Sequence, residues 1–560
     1  MKDFSRIPQV RYNRSKFDLS HGVKTTMSVG RLYPIKCLEV LPGDSFKSVM
    51  TAVARCTSSF LKPIIDNLFI DVHHFFVPLR LLYDDSERVF GNPNPSAYSD
   101  NNLAEYPTLP ACHIYSGTVG DYLGLPVDVA GTYSEKGRVK KGCSVLPFRA
   151  FARIYNDWFR NENTVDEMYV QTGELANSEI PNNNAWSPNN YTGQLPFVGK
   201  KKDYFTSCLP NVQKGQSVPI PLGSLAPVIP TGQVAQVNYP TSYFTDSTGK
   251  PRGLLQVFSS GGIDPDDVGE TLLYNDQDSS QKFNQSDYLT IGGLSADLSN
   301  AIPADIASLR TAFQLQRLLE RDARFGSRYN EYILGAFGVT SPDARLQFTE
   351  YLGGGRIPIG IQQVSQTSAP SEDSPLGALG ANSQSVGRSR FSKGFTEHGF
   401  VMTVACIRQI HTYQQGVPKL FFRRKREDFY DPVLANISEQ PVYKSQIFGY
   451  AVGANDDTDL REEIFGYNEA WAEYRYEPSI VTGQLRSGIE NSLDIWHLAD
   501  YYNTRPTLGQ RFTEENSVNI DRVLTVPTAA QDNFLVDIWF NVSAIRVMPV
   551  YSVPGLVDHY

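Results

Sequence analysis

Two stretches near opposite ends of the 560-residue chain alternate their side chains so strictly that the fold must be built on β-strands. Between Leu68 and Val77, the residues Leu68, Ile70, Val72, His74 and Phe76 share one face, and Phe69, Asp71, His73, Phe75 and Val77 share the other. Both faces are largely apolar, so this strand is expected to lie buried between layers, with Pro78 ending it. From Phe534 to Ser543, Phe534, Val536, Ile538, Phe540 and Val542 alternate with Leu535, Asp537, Trp539, Asn541 and Ser543, which reads as a final strand. Strands early, strands late and a loop- and helix-bearing middle predict a mainly β chain, one large sandwich or barrel over 1–560 with greatly lengthened connections. An eight-stranded antiparallel jelly roll is the commonest architecture that tolerates this, because its loops leave the strand ends and can lengthen without disturbing the core.

The intervening segments change character. Residues 1–30 are polar, with Arg6, Arg11, Arg14, Lys16 and Lys24 interspersed, and read as an extended arm. Phe148, Phe151, Ile154, Tyr155, Trp158 and Phe159 recur at three and four residues within 146–161, the period of a helical face. Residues 162–203 are polar, Asn-rich and loop-like. From about Thr231 to Asn300, Gly, Ser, Asp, Gln and Tyr dominate, and regular apolar punctuation (Val234, Val237, Tyr243, Leu254, Val257, Leu272) predicts an ordered, projecting insert of short strands and loops. The clearest helix spans 303–325. Pro303 suits its first turn, Ile306, Leu309, Phe313, Leu315, Leu318 and Leu319 form its stripe, and Gly326 is placed to cap it. The Gly/Ser-rich stretch from Ser365 to Ser392 is expected to be a long loop.

Composition narrows the function. Net charge is −9, whereas a chain that gripped DNA by itself would usually be basic, so any nucleic-acid contact must be local or helped by a basic partner. The 61 Tyr and Phe residues (30 and 31) suit large interfaces, since they bury much area at low entropic cost. There is no run of 18 apolar residues, and the first residues lead into polar sequence, so neither a transmembrane helix nor a signal peptide is expected. Cys37, Cys56, Cys112, Cys143, Cys208 and Cys406 are scattered without metal-ligand spacing and read as buried small hydrophobes in a reducing compartment.

Enzymatic motifs are missing. There is no phosphate-cradling GxxxxGK[ST], no GxSxG and no HExxH. Gly353-Gly354-Gly355 precedes Arg356-Ile357-Pro358, which marks a turn or a tight packing site. His73 and His74 face opposite ways on a strand and cannot share a metal; they are expected to be core or interface histidines. Glu397-His398 has no nucleophile placed by sequence. The acidic clusters Asp264/Asp266/Asp267 and Asp456/Asp457/Asp459 match no EF-hand and default to solvated loops. No cofactor and no metal site is expected. The strongest charge feature is Arg423-Arg424-Lys425-Arg426, preceded by Phe421-Phe422. Four cations beside aromatics can hold phosphates and stack bases. Alternatively they form a structural cluster, pairing with Glu427, Asp428 or an adjacent subunit.

Several segments resemble the major capsid proteins of microviruses, in the gokushovirus branch. They include RSKFDLSHGVKTTMSVGRLYPI (14–35), IDNLFIDVHHFFVPLRLL (65–82), LLERDARFGSRYNEYI (318–333), FGVTSPDARLQFTEYLGGG (337–355), TYQQG (412–416), FGYNEAWAEYRYEPS (465–479), LDIWHLAD (493–500) and MPVYSVPGLVDHY (548–560). The resemblance runs through nearly the whole chain in linear order and lapses at about 164–202, 228–298 and 370–392. It implies a viral jelly roll with long inserted loops that self-assembles into a T=1 icosahedral virion shell around circular single-stranded DNA in the host bacterial cytoplasm. It further implies that 228–298 forms a protrusion subdomain used on a host surface receptor, and that a small basic DNA-packaging protein accompanies the genome. The competing reading is a secreted jelly-roll protein that binds or cleaves carbohydrate, which would need two carboxylates flanking one cleft.

Overall fold

A computed structural model describes residues 13–90, 104–173 apart from 110–111, 128–137, 141, 169 and 171, then 194–218, 228–230, 237–238, 290–291, 294–296, 306–365 apart from 327, position 367, 376–451 apart from 378, and 458–551. It divides into two compact units, 1–214 with 319–560, and 215–318.

The two main sheets of the first unit use ten strands: β1 (Ser15–Asp18), β2 (His21–Met27), β3 (Leu32–Val40), β4 (Ser45–Cys56), β5 (Leu68–Pro78), β6 (Glu350–Pro358), β7 (Ile361–Ser365), β8 (Leu379–Gly394), β9 (Gly399–Gln409) and β10 (Phe534–Arg546). They form two antiparallel sheets. One runs β1/β2–β10–β4–β8–β7, the other β6–β5–β9–β3. β1 and β2 lie end to end along β10, from Ser15↔Arg546 to Met27↔Phe534, so they occupy a single position. With β7 taken as an extension beyond β8, the positions in chain order are first, eighth, third, sixth in one sheet and second, seventh, fourth, fifth in the other. That interleaving of two sheets is the jelly-roll order. From Ser15 onward the polar arm is therefore hydrogen-bonded sheet and not a free segment.

Alternation places the core where the sequence predicts it. Phe534, Val536, Ile538, Phe540 and Val542 are buried and join Met50, Ala52 and Ala54 of β4 and Ile70 and Val72 of β5 in one cluster. Each of the larger side chains, Val, Ile, Phe or Met, contributes roughly 1.5–3 kcal/mol relative to exposure. β5 is covered on both faces. His74 bonds through Nδ1 to Thr403 Oγ1 and through Nε2 to Ser389 Oγ, both at 2.8 Å, while Phe75 packs against Trp158 and Phe159. Those aromatics follow α1 (Leu146–Ile154), whose helical course continues as a π turn over Tyr155–Phe159.

The expectation of a loop over Ser365–Ser392 is overturned for 379–392, while 366, 368–375 and 378 lie outside the described residues. β8 is a 16-residue strand that pairs with β7 over Leu379–Ser383 and with β4 from Gln384↔Arg55 to Gly394↔Ser45. Its inward row is Ala381, Ser383, Ser385, Gly387, Ser389 and Phe391. Small residues replace the usual apolar ones because the facing strand β6 comes very close. A Cβ on Gly387 would stand 2.4 Å from the Ile357 side chain. The buried hydroxyls are occupied: Ser383 donates to Gly360 O (3.0 Å), and Ser385 Oγ accepts from Gly360 N–H (2.8 Å). The same closeness explains Gly353 and Gly355, which lie inside β6 beside a bulge, where added Cβ atoms would meet Arg390 O and Arg388 O of β8 at 3.1 Å; on Gly354 a Cβ would meet Val72 O of β5 at 2.5 Å. They are a packing site and not a turn.

In the second unit, short antiparallel pairs Val228–Pro230 with Leu294–Ala296 and Val237–Asn238 with Thr290–Ile291 are described. This unit extends beyond 228–298 on both sides. α2 (Ile306–Phe325) ends at Gly326, which adopts the left-handed φ of +92° that favours glycine. α3 (Tyr329–Phe337) belongs to the first unit, as does the end of α2 from Leu319 onward.

Candidate nucleic-acid and assembly surface

The basic run follows a single 3₁₀ turn, Lys419–Phe422, that anchors it. Phe422 is buried and stacks on Tyr443 with centroids 5.8 Å apart. Arg423 turns inward. Its guanidinium lies 4.6 Å from the Tyr474 ring and 5.5 Å from Phe429, 3.3 Å from Glu473, and donates to Asp428 O at 2.7 Å. Arg424 pairs with Asp459 at 2.6 Å. Asp428 organises the turn by accepting the backbone N–H groups of Arg424 (2.7 Å) and Lys425 (2.8 Å) and the guanidinium of Arg461 (2.7 Å). The Arg461 bonds hold the Asp428 carboxyl well below the usual range, helped by the two backbone donors. Lys425 and Arg426 point to solvent, with no ion pair among the described residues. The run thus divides into two structural cations and two free ones. Asp428, as the sequence suggests, is a partner; Asp459, Glu473 and Arg461 are brought in from 30 to 50 residues away and carried no local signal.

Close by is a patch of exposed large apolar side chains: Leu420, Phe421, Phe429, Tyr430, Val433 and Tyr474, of which Val433 is 89% exposed. Tyr430 makes ring contacts with Trp471 (5.7 Å) and Tyr474 (6.0 Å), so the patch is held in place and not merely trailing. A cavity of about 490 Å³ opens beside it between Lys419, Arg423, Tyr474 and Tyr413.

Sequence reading missed a buried ionic centre. Lys200 Nζ lies 3.0 Å from Asp500, and His411 bridges Asp500 (3.0 Å) and Glu515 (3.1 Å). Asn519 and Tyr502 also donate to Asp500. All four charged groups are buried. Burial opposes the imidazolium, but Glu515 and Asp500 outweigh it and push the His411 pKa up to about 9. Burial likewise opposes the Asp500 carboxylate, and Lys200 and His411 overcome it, holding that group well below its ordinary value. The centre ties the end of β9 to residues 200 and 500–519. His411 directly precedes the TYQQG segment and Asp500 is the last residue of LDIWHLAD, the one available sequence signal.

The remaining candidates resolve structurally. Burial pushes both His73 and His74 down to about 4, leaving neutral rings, and His73 packs against Phe159 and Tyr351. Glu397 pairs with Arg80 at 2.8 Å, and His398 stacks on Phe90 at 4.1 Å. Asp459 serves Arg424, while Asp456, Asp457 and the 264–267 cluster lie outside the described residues. No group of three or more potential metal ligands occurs among the described residues, and no described helix is long and apolar enough to cross a membrane. Cys37, Cys56, Cys143, Cys208 and Cys406 are free thiols, and burial pushes those of Cys37 and Cys406 up to about 12. The Cys112 side chain lies outside the described residues.

A jelly roll with a solvent-facing aromatic patch matches the family model described as "Capsid protein (F protein)" over residues 5–556. The chain belongs to the phage F capsid protein family. Its similarity to individual members spans full lengths. It is 36% identical over 565 residues to the "Capsid protein VP1" of Bdellovibrio phage phiMH2K, covering 100% of this chain and 98% of that one. It is 37% identical to the protein of the same name from Spiroplasma virus 4 (99% and 97%) and 36% identical to that of Chlamydia phage 1 (99% and 97%). As an F capsid protein it is a structural, non-enzymatic component of the virion that assembles with identical subunits into a shell. The carbohydrate-active reading gives way to that membership.

Proposed function

We propose that the chain closes into a T=1 icosahedral shell enclosing circular single-stranded DNA, formed in the host bacterial cytoplasm, with a small basic protein packaged beside the genome. Residues 228–298 are the proposed protrusion subdomain, read as the part that meets a host receptor. The observation that carries the shell is the ordered aromatic patch on the turn 419–434. An exposed apolar surface of this kind on a well-packed subunit marks a site to be covered by another molecule, and in a shell protein the most abundant partner is its own copy. Arg423, Arg424, Lys425 and Arg426 are the proposed genome contact. Lys425 and Arg426 supply free charge, and Arg423 and Arg424 fix the turn that presents it. Electron microscopy of the expressed chain tests the assembly, which requires closed particles of one diameter. Neutralising Arg423–Arg426 together tests the contact: shells that form but package no DNA support it, and loss of shells assigns the run to subunit packing instead.

A further inference from the structure

We propose that the outward face of the β1/β2–β10–β4–β8 sheet is a second and larger binding surface for single-stranded nucleic acid, with phosphates on its lysines and arginines and a base on Trp539. The strand registers decide which side chains share that face. β4 pairs with β10 through Leu535↔Arg55, Trp539↔Thr51 and Ser543↔Lys47, and with β8 through Val386↔Val53, Arg388↔Thr51 and Arg390↔Val49. Lys24 stands opposite Asp537, and Lys16 opposite Ile545. The alternate residues of these strands fill the core, so everything named here points away from it.

The face therefore presents six exposed cations, Lys16, Lys24, Lys47, Arg55, Arg388 and Arg390, against two carboxylates of the same strands, Asp18 and Asp537. That is a local excess of positive charge on a chain whose net charge is −9. Among the described residues none of the six lies within ion-pair distance of a carboxylate, whereas Arg356, Arg408 and Arg546 each hold one. On a rigid sheet, like charges on neighbouring positions repel and destabilise. A polyanion lying across the strands removes that repulsion and gains by counter-ion release.

Trp539 makes the choice of polyanion. It is 56% exposed in the middle of this charged face, in one cross-strand row with Thr51 and Arg388. Its ring rests over Gly22, where an added Cβ would stand 3.4 Å away. A half-exposed indole held on a face that carries cations on the same cross-strand row is a stacking platform for an unpaired base, which single strands offer and duplexes do not. The genome reading given above supplies the ligand in the particle, but the face is testable without it.

The test uses the full chain as soluble subunit, a fluorescent oligothymidylate and a salt titration. The wild type binds, quenching tryptophan fluorescence. The K47Q/R388Q/R390Q variant, altered only at exposed positions, keeps its circular dichroism and melting point, binds at least tenfold more weakly at low salt, and loses about 2 from the slope of log affinity against log salt. W539L keeps the slope and loses about 5- to 100-fold in affinity together with most of the quenching. Wild-type-like binding by both variants overturns the proposal. So does binding that depends on Arg423–Arg426 alone, or loss of shells by the triple variant with oligonucleotide binding intact, which would make the face a contact between copies. Should the wild type bind oligonucleotide through this face yet never form particles, the shell reading fails and this one stands.

Discussion

His411 is a residue whose charge state folding changes across the neutral pH range. It sits 5% exposed between two buried carboxylates, with Lys200 on the far side of Asp500. A buried imidazolium with one acidic neighbour would barely offset its own desolvation, and two neighbours reverse the balance. Because its pKa rises from 6.5 to about 9 on folding, the folded state binds the proton more tightly. The resulting stabilisation is complete below pH 6.5 and is lost as pH rises through 9, and it is on the order of 3 kcal/mol. Denaturant midpoints of the isolated subunit at pH 6, 8 and 10 are therefore expected to fall steadily. In H411Q the midpoint starts lower at pH 6 and is nearly flat across the same range. Parallel pH curves for the two proteins would show that the imidazole is not charged in the fold. Nothing in the sequence places His411 beside Glu515, 104 residues away, since only the packing of β9 against the C-terminal region creates the site.

At the scale of an element, β8 illustrates how packing distance dictates composition. Gly387 faces Ile357 so closely that G387A forces either the strand or the isoleucine to move, at about 1–3 kcal/mol. I357A leaves a cavity and costs about 2–5 kcal/mol. The double variant is expected to lose clearly less than the sum in urea unfolding, because the new methyl occupies the space vacated by the old side chain. Strict additivity would mean that the sheets do not touch there. This closeness also governs what was legible. β5 and β10 could be read directly, since their inward rows are Leu, Ile, Val and Phe at a period of two. β8 has the same period, but its inward row is Ala, Ser, Ser, Gly, Ser, so a hydrophobicity pattern registers only a flexible, polar stretch. The basic run was readable as a run, whereas the division of its four cations was not, because Asp459 and Glu473 approach from other loops. The charged sheet face was equally invisible: its lysines and arginines are scattered from Lys16 to Arg390 and become neighbours only through strand register.

For the whole molecule, the aromatic patch on 419–434 decides whether the subunit is an end product or a building block. Its side chains are exposed but not loose: Phe422 beneath is buried, Asp428 ties the turn, Asp431 caps the following one through Val433 N–H at 2.9 Å, and Tyr430 leans on Trp471 and Tyr474. Holding an apolar surface rigid in water brings the isolated subunit no benefit, while a rigid patch loses little entropy when a neighbour covers it. At roughly 25 cal/mol per Å² of apolar area removed from water, each contact is modest, but repetition around a closed shell multiplies it. F421D/V433D places two charges on this surface without touching the core. Its melting temperature as a subunit is expected to stay within about 2 °C of wild type, since surface substitutions away from special contacts change stability by at most about 0.5 kcal/mol. Particle formation, followed by sedimentation and electron microscopy, is expected to be lost. Particles of normal size and yield from this variant would place the subunit contacts elsewhere and leave the patch for another partner.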